Sequence, residues 1–597
     1  MLGAMRVPHL ALLLLLLLCV LAAPARARGT IEKVSIEGLD RGDDAAMIEN
    51  IEVSLSLYQT IGKRQGESRL EYLLNQAQEQ ARTALEPFGY YSPTITIDAP
   101  RTGDSLHVII HVDKGQPVRV RHSNIVLTGW AEEDEYLQRD VAAFQPAVGE
   151  TFSHPLYEAS KVRITRRLAE RGYFDADFTR RRVEVTRAEF AADIDLAWDS
   201  GRRYDMGPVR FRYDYFKPGL FDPLVYWEEG SYYHEGKLDR LRESLNRLGY
   251  FGTIDIQPKP EEATADGRVP IDVRLERAKR TVYTAGLSYG SESGPGVRGG
   301  LERRYVNSRG HKMDTQLDFA QKRKSLTTAY RIPAFGWLDG WYSLTAGYYD
   351  EQTDYIDLRN VKLSASRSGE INDRWTATAS LNALRERWRY STNDQPDPFY
   401  QYATFVYPQL QALYSGVDDR TFPRRGIAAR SFVRGGVKGV GSDTNFAQAY
   451  AQVFWFHGLS GSDRLILRGE AGTTWTPDLV SMPPSLRFFA GGDNSVRGYA
   501  FREIGPRTPP PDKYALGAKH VLTGSVEYER YFNGGPWGAA VFVDSGSAFD
   551  NRPDFHTGVG VGLRWKSPIG PVRVDVAHGL NDPDSQFQLY LNIGANL

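Results

Sequence analysis

Gln586-Phe-Gln-Leu-Tyr-Leu-Asn-Ile-Gly-Ala-Asn-Leu597 closes the chain, and it alternates from end to end. Phe587, Leu589, Leu591, Ile593, Ala595 and Leu597 share one side of an extended strand, while Gln586, Gln588, Tyr590, Asn592, Gly594 and Asn596 share the other. Successive side chains of a strand point to opposite faces, so this stretch has one apolar and one polar face. The pattern continues upstream. Val572, Val574 and Val576 alternate with Arg573, Asp575 and Ala577; Val559, Val561, Leu563 and Trp565 alternate with Gly560, Gly562, Arg564 and Lys566. Leu522, Gly524, Val526 and Tyr528 alternate with Thr523, Ser525, Glu527 and Glu529. From residue 277 onward, alternating segments of about ten residues are separated by Gly, Asp, Asn and Ser.

A soluble sandwich would also alternate. Residues 277–597 are too many for one ordinary sandwich, however, and the region is rich in Tyr and Trp near segment ends, as membrane interfaces require. At about 20 residues per strand and connection, the region predicts an antiparallel transmembrane β-barrel of roughly 16 strands. A mean hydropathy of −0.44 fits, because only alternate residues face lipid.

The first half repeats itself. Leu85-Glu-Pro-Phe-Gly89-Tyr90-Tyr91 recurs as Leu168-Ala-Glu-Arg-Gly172-Tyr173-Phe174 and as Leu245-Asn-Arg-Leu-Gly249-Tyr250-Phe251. The spacing implies domain-sized units rather than solenoid turns. Each unit reads as an opening strand, helices, then two strands. The helical stretches are Tyr72 to Leu85, Tyr157 to Leu168 and Lys237 to Leu248. Gly89, Gly172 and Gly249 stand where a helix end favours a left-handed residue. The expected class is α+β plus all-β, with three tandem α/β modules over 28–116, 117–203 and 204–276 preceding the barrel.

Arg6, the apolar run Leu10 to Ala23 and Ala25-Arg26-Ala27 read as a signal peptide cut after Ala27. The run is too short to span a bilayer as a helix. Cys19, the one cysteine, would leave with that peptide, so the mature chain has neither disulfide nor thiol chemistry. A net charge of −1 offers no basic field for nucleic acid.

Signals for an enzyme are poor. Gly286-Leu-Ser288-Tyr-Gly290 has the form of a nucleophile elbow, but Ser-Glu-Ser-Gly-Pro-Gly follows and cannot start a regular helix. The 11 histidines show no metal spacing, no phosphate loop is present, and no metal or cofactor is expected. The informative segment is Gly491-Gly492-Asp-Asn-Ser-Val496-Arg497-Gly498-Tyr499, within a long Pro-rich connection from about Val480 to Tyr514. Loops of that length are functional or disordered. If it folds inward, Arg497 can meet Glu527 on one strand and Asp544, flanked by Phe542 and Gly546, on the next. An enclosed guanidinium needs such partners; the alternative is a solvated surface arginine.

Gly-Gly-x3-Val-Arg-Gly-Tyr followed by Phe-x-Asp-x-Gly resembles the signature pair of the outer-membrane assembly superfamily, which includes the BamA and TamA barrel subunits and two-partner secretion transporters. The repeats resemble its polypeptide-transport-associated (POTRA) domains. Asp418-Asp-Arg-Thr-Phe-Pro423-Arg-Arg-Gly426 resembles a strand-start motif of the group. Three units, and Pro483-Pro-Ser-Leu-Arg-Phe-Phe-Ala490 ahead of the loop motif, favour the TamA branch (translocation and assembly module); the Leu597 ending departs from the aromatic with which many outer-membrane barrels finish. The resemblance implies an outer-membrane, periplasm-facing protein that helps insert or translocate autotransporters and other outer-membrane proteins. Val496, Arg497, Gly498 and Tyr499 would tip a loop folded into the lumen. A weak lateral seam would lie between a first strand containing Val282, Tyr283, Gly286 and Ser288 and a last strand containing Leu589, Leu591 and Ile593. Implied partners are outer-membrane lipid, client proteins, and a TamB-like, inner-membrane-anchored, periplasm-spanning protein docked on the first POTRA-like unit. The other reading, a secretion pore for a soluble exoprotein, would want two units behind a plug helix, whereas Arg28-Gly-Thr-Ile31 is expected to enter the first strand directly.

Overall fold

The computed structural model describes residues 28–290, 293–335, 340–353, 356–392, 395–396, 399–508, 514–567, 570–581 and 587–593. The expected signal peptide, the tip of the Pro-rich connection and the last four residues lie outside them. Two compact units emerge: residues up to 210 with 227–239 and 257–272, and residues 211–226, 240–256 and 273–597. The expected third module, 204–276, is thereby shared between them.

In the first unit, strand Arg28–Glu37 runs parallel to Ser105–Asp113, which pairs antiparallel with Thr94–Asp98. Helices Ala45–Ser54 and Glu67–Leu85 cover one face of this sheet. Leu70, Leu73, Ala77, Ala81, Ala84 and Leu85 recur at helical spacing and are buried against Ile31, Ile95, Val108 and Ile110. The arrangement recurs in the next module: Arg119–Thr128 is parallel to Ala191–Asp199, which pairs antiparallel with Asp177–Thr186 under helix His154–Glu170. A further sheet is ordered Phe251–Pro258, Arg268–Arg277, Asp205–Arg212.

The repeated glycines do more than stop helices. Gly89, Gly172 and Gly249 have φ of 90°, 87° and 66°, a region other residues enter at a cost. The carbonyl of Gly89 accepts from the Val118 N–H at 2.8 Å, and that of Gly172 from the Tyr204 N–H at 2.9 Å. The first two turns therefore fasten the backbone that opens the following module. A Cβ on Gly172 would press on Tyr233, and one on Gly89 on the Phe152 carbonyl.

Among the described residues the second unit contains sixteen strands in sequential antiparallel order. They are β1 Thr281–Gly290, β2 Gly294–Arg303, β3 Lys312–Ala320, β4 Arg323–Pro333, β5 Gly340–Gln352, β6 Ile356–Asn372, β7 Trp375–Thr392 and β8 Gln401–Val417. Then follow β9 Gly426–Gly436, β10 Phe446–Gly458, β11 Asp463–Trp475, β12 His520–Tyr531, β13 Trp537–Phe549, β14 His556–Ser567, β15 Gly570–Gly579 and β16 Gln588–Ile593. A two-residue ladder, Gln395–Pro396, folds back on the end of β7. The strand-start motif ends at Gly426, the first residue of β9.

The expected two faces are present, with the soluble-protein rule inverted. On β12, Leu522 and Val526 are exposed while Thr523, Ser525, Glu527 and Glu529 are buried; on β13, Val541 and Val543 are exposed and Phe542 and Asp544 buried. Apolar residues outside and charges inside suit a wall whose outer solvent is hydrocarbon. Trp375, Tyr414, Trp455, Trp537 and Trp565 lie toward one rim of the strands, with Trp537 stacked on Trp565 at 5.2 Å. No helix among the described residues is long and apolar enough to cross a membrane.

Candidate functional site

The connection between β11 and β12 enters the lumen. Met482 and Leu486 are buried among Trp388, Phe405, Tyr407 and Phe446, and the Gln448 amide donates to the Leu486 carbonyl at 2.6 Å. The Ser485 N–H donates to Glu386 at 3.2 Å. Further on, Val496 and Tyr499 are fully buried with Phe488, Ala490, Ile504 and Val521. Gly491, Gly492 and Gly498 take φ of 102°, 99° and 98°. At Gly498 a Cβ would collide with the backbone of His578 and Gly579 on β15, so the tip requires glycine for both conformation and clearance.

Arg497 is 3 % exposed. Its Nε and one terminal nitrogen hold Asp544 in a fork, at 2.7 and 3.0 Å, and its backbone N–H donates to the same carboxylate at 3.0 Å. The other terminal nitrogen reaches Glu527 at 2.7 Å and Asp575 at 3.1 Å. The Phe542 ring centroid lies 3.3 Å from the guanidinium carbon. One cation thus ties the loop to β12, β13 and β15. Planar fork geometry suits a guanidinium to this task and a lysine poorly.

Glu527 and Asp544 thus both meet Arg497, and Phe542 and Gly546 are buried on the same face of β13 as Asp544. The rest of the network was not identified in sequence. Arg564 on β14 donates to Glu529 at 2.7 Å, Glu527 at 2.6 Å and Asp575 at 2.5 Å. Arg464 on β11 pairs with Glu529 at 2.6 Å. Arg468, also on β11, donates to the Ser495 carbonyl and lies 3.9 Å from Asp544. Four guanidiniums and four carboxylates are joined in this way, which offsets the cost of burying each. Tyr590 on β16 adds a neutral clasp: its hydroxyl accepts from the Gly498 N–H at 3.0 Å and donates to the Tyr499 carbonyl at 2.7 Å. The signal for Arg564, Asp575 and Tyr590 was available, since all lie on polar faces of the alternation.

Gly558, Gly560 and Gly562 make the room. They alternate on the inner face of β14, where a Cβ would meet the Arg497 carbonyl, the Phe542 ring and the Asp575 carboxylate respectively. This trough seats the loop tip and lets the ring slide beneath the guanidinium.

The seam residues are placed as follows. Val282, Tyr283, Gly286 and Ser288 lie on β1, paired through Glu302, Leu301, Arg298 and Gly296 with β2. Leu589, Leu591 and Ile593 lie on β16, paired with Val576, Val574 and Val572 of β15. Tyr283 and Leu589 are exposed; the side chains of Ser288 and Ile593 lie outside the described set. Among the described residues no ladder joins β1 to β16. Ser288 sits within a strand that extends to Gly290, so no strand–turn–helix presents it as a nucleophile. No cluster of metal-ligating side chains occurs among the described residues.

Residues 306–596 match the Omp85 superfamily domain, and residues 33–114 match the POTRA domain described as TamA domain 1. The outer membrane protein assembly factor BamA of Nitratidesulfovibrio vulgaris is 23% identical over 357 residues, 58% of this chain and 44% of that protein. BamA of Neisseria meningitidis serogroup B is 21% identical over 423 residues, 61% of this chain and 52% of that protein. The chain spans about half the length of the curated relatives it matches. The crystal structure of BamA from Haemophilus ducreyi lacking POTRA domains 1–3 superposes with a TM-score of 0.63 at 16% identity, over 80% of this chain and 99% of that one. With its sixteen-stranded sheet, inverted faces and these matches, the chain is a BamA/TamA-type outer-membrane protein of the Omp85 superfamily, with periplasmic POTRA structure ahead of its barrel.

Proposed function

We propose that this chain is the outer-membrane subunit of a translocation and assembly module, assisting insertion and translocation of autotransporters and other outer-membrane proteins. The observation that carries the reading is the seam. Among the described residues β1 and β16 each have a hydrogen-bonded neighbour on one side alone, while the lumen loop is fastened to β12, β13, β15 and β16. Unpaired backbone in hydrocarbon costs several kcal/mol per group. An edge held open there favours pairing with an incoming client strand, and the service rendered is a lowered insertion barrier with no covalent step. The likeness of residues 33–114 to TamA domain 1 supports docking of a TamB-like, periplasm-spanning partner on that domain.

The test is quantitative proteomics of outer-membrane and medium fractions from cells carrying the wild-type gene, no gene, or a Gly286→Cys, Leu589→Cys pair crosslinked across the seam. Loss of a subset of barrel proteins from the membrane in the deletion and the crosslinked strain is expected. Full activity with complete crosslinking would remove the seam from the mechanism. Loss of one soluble exoprotein, with the membrane unchanged, would replace the reading with a secretion pore.

A further inference from the structure

The outer wall carries an array of cations that the lumen network does not use. A single cross-strand row reads Lys324 on β4, Asp350 on β5, Arg359 on β6, Arg387 on β7 and Tyr402 on β8. Arg385 and Arg389 stand on the same face of β7, one step to either side of Arg387. That face is the outer one. Leu381 and Tyr402 are exposed on it, whereas Asn382, Leu384, Glu386 and Trp388 of β7 point inward and are buried. The depth of the array follows from the strand. β1 follows the periplasmic part of the chain almost directly, so odd-numbered strands start at the periplasmic rim, and β7 starts there with the exposed Trp375. From Trp375 to Arg385 the strand climbs about 33 Å at about 3.3 Å per residue, which a tilt of about 40° reduces to about 25 Å of depth, the height of the apolar band of such barrels. The outward residues between the two are Ala377, Ala379, Leu381 and Ala383, none of them charged. The arginines therefore begin where hydrocarbon gives way to the headgroups of the outer leaflet.

Like charges directly opposite one another destabilise a sheet, and Arg359 and Arg387 are so placed. The two nearby carboxylates do not neutralise the array. Asp350 is held by Arg359 at 2.5 Å and the Tyr348 hydroxyl at 3.1 Å. Asp357 is held by Arg389 at 3.3 Å and the Tyr400 hydroxyl at 2.5 Å. Among the described residues no carboxylate lies within ion-pair distance of Arg385 or Arg387. Neutral groups position these two instead. Arg385 donates to the Thr404 hydroxyl at 2.5 Å and stands 5.4 Å from the Tyr402 ring, and Arg387 stands 4.5 Å from the Tyr400 ring. Planar guanidiniums oriented side by side in this way match the oxygens of phosphate groups.

We propose that this face of β6, β7 and β8 binds a phosphorylated glycolipid of the outer leaflet, with its phosphates at Arg385 and Arg387 and its acyl chains on the wall below. That wall presents Val361, Leu363 and Leu381, all exposed, so cations and apolar surface follow one another in the same sequence as the two ends of the amphiphile. The exposed Tyr402 ring offers an apolar face to a sugar, which a simple glycerol headgroup does not use. The bound anion removes the repulsion between Arg359 and Arg387. The site is independent of the seam and of any lateral opening.

The full chain in detergent micelles is titrated with lipid and read by native mass spectrometry, which identifies each retained lipid by its mass. The probes are diphosphorylated lipid A, the same lipid stripped of its phosphates, and phosphatidylglycerol, each with and without inorganic phosphate in large excess. Diphosphorylated lipid A is expected to bind at least about tenfold tighter than either other lipid, and to stay bound in excess phosphate. The double variant Arg385→Gln, Arg387→Gln lowers its affinity about tenfold or more, and lysine at both positions recovers part. Arg530→Gln, at an exposed arginine near the periplasmic end of β12, leaves it unchanged. Should the double variant fold poorly, Arg385→Gln and Tyr402→Ser carry the test, since both side chains are exposed. Equal retention of the dephosphorylated lipid or of phosphatidylglycerol, displacement by inorganic phosphate, or wild-type affinity in these variants overturns the proposal.

Discussion

Removing the Arg497 side chain should destabilise the barrel more than removing any other arginine of the lumen loop. The variant Arg497→Ala strands Asp544, which is fully buried. Glu527 and Asp575 retain Arg564 at 2.6 and 2.5 Å, but the next cation for Asp544 is Arg468 at 3.9 Å. Breaking one partner of a buried ion pair costs about 3–5 kcal/mol. The Arg497 backbone N–H remains as a donor to Asp544, which favours the lower part of that range, about 3–4 kcal/mol, or roughly 100- to 1,000-fold in the folding equilibrium. Arg502→Ala is the control. Arg502 reaches Glu351 at 3.5 Å and two phenylalanine rings at 5.0 Å, and Glu351 keeps Arg323 and the Tyr349 hydroxyl; its loss should cost about 1 kcal/mol. The assay is urea unfolding in lipid vesicles, followed by loss of the compact, heat-modifiable band. The double variant Arg497→Ala, Asp544→Ala should lose less than the sum of the single variants. Equal shifts for Arg497→Ala and Arg502→Ala, or strict additivity in the double variant, would refute the reasoning.

Gly558→Ala should destabilise by about 1–3 kcal/mol by pushing the loop tip from its trough, whereas Gly524→Ala, where a Cβ meets nothing, should be near neutral in the same assay. Tyr590→Phe removes both hydrogen bonds of the clasp and should cost about 1–2 kcal/mol, visible as faster proteolytic nicking within the loop. At the first module junction, His154 meets the Tyr91 hydroxyl at 2.6 Å, and burial holds its pKa below the usual histidine range. The folded state therefore binds this proton less readily than the unfolded one. Stability is full above the unfolded pKa and falls as pH drops through it, so pulse proteolysis of the first two modules should quicken between about pH 7 and about pH 5. In His154→Gln that acceleration should shrink, and an unchanged pH response would rule His154 out as its source.

The barrel was legible because its two solvents are so different. Alternation such as Phe587, Leu589, Leu591 against Gln588, Tyr590, Asn592 needs no knowledge of partners. The Gly-Tyr-aromatic repeat was legible, though not the backbone bonds through which Gly89 and Gly172 fasten the next segment, nor the division of residues 204–276 between the two compact units. The loop network was half legible. Arg497 and Asp544 stand in recognisable motifs and Glu527 on a polar strand face, but which other polar-face residues join them is set by cross-strand register, which no single strand encodes. Gly558, Gly560 and Gly562 looked like a featureless polar face until the loop tip and the Phe542 ring filled the space above them.

The lumen loop also constrains the order in which this chain can be completed. Every carboxylate that holds Arg497 follows it in sequence, on β12, β13 and β15, and the hydroxyl that clasps Gly498 arrives last, on β16. A chain laid down from its N-terminus therefore carries the loop before any of its anchors exists, and an unfinished barrel must keep Arg497 wet. A slip of one residue in β13 or β15 would turn Asp544 or Asp575 toward lipid and leave the cation without its counter-charge. Correct register of the late strands and seating of the loop tip are then a single event, and the buried cation serves as the check on both.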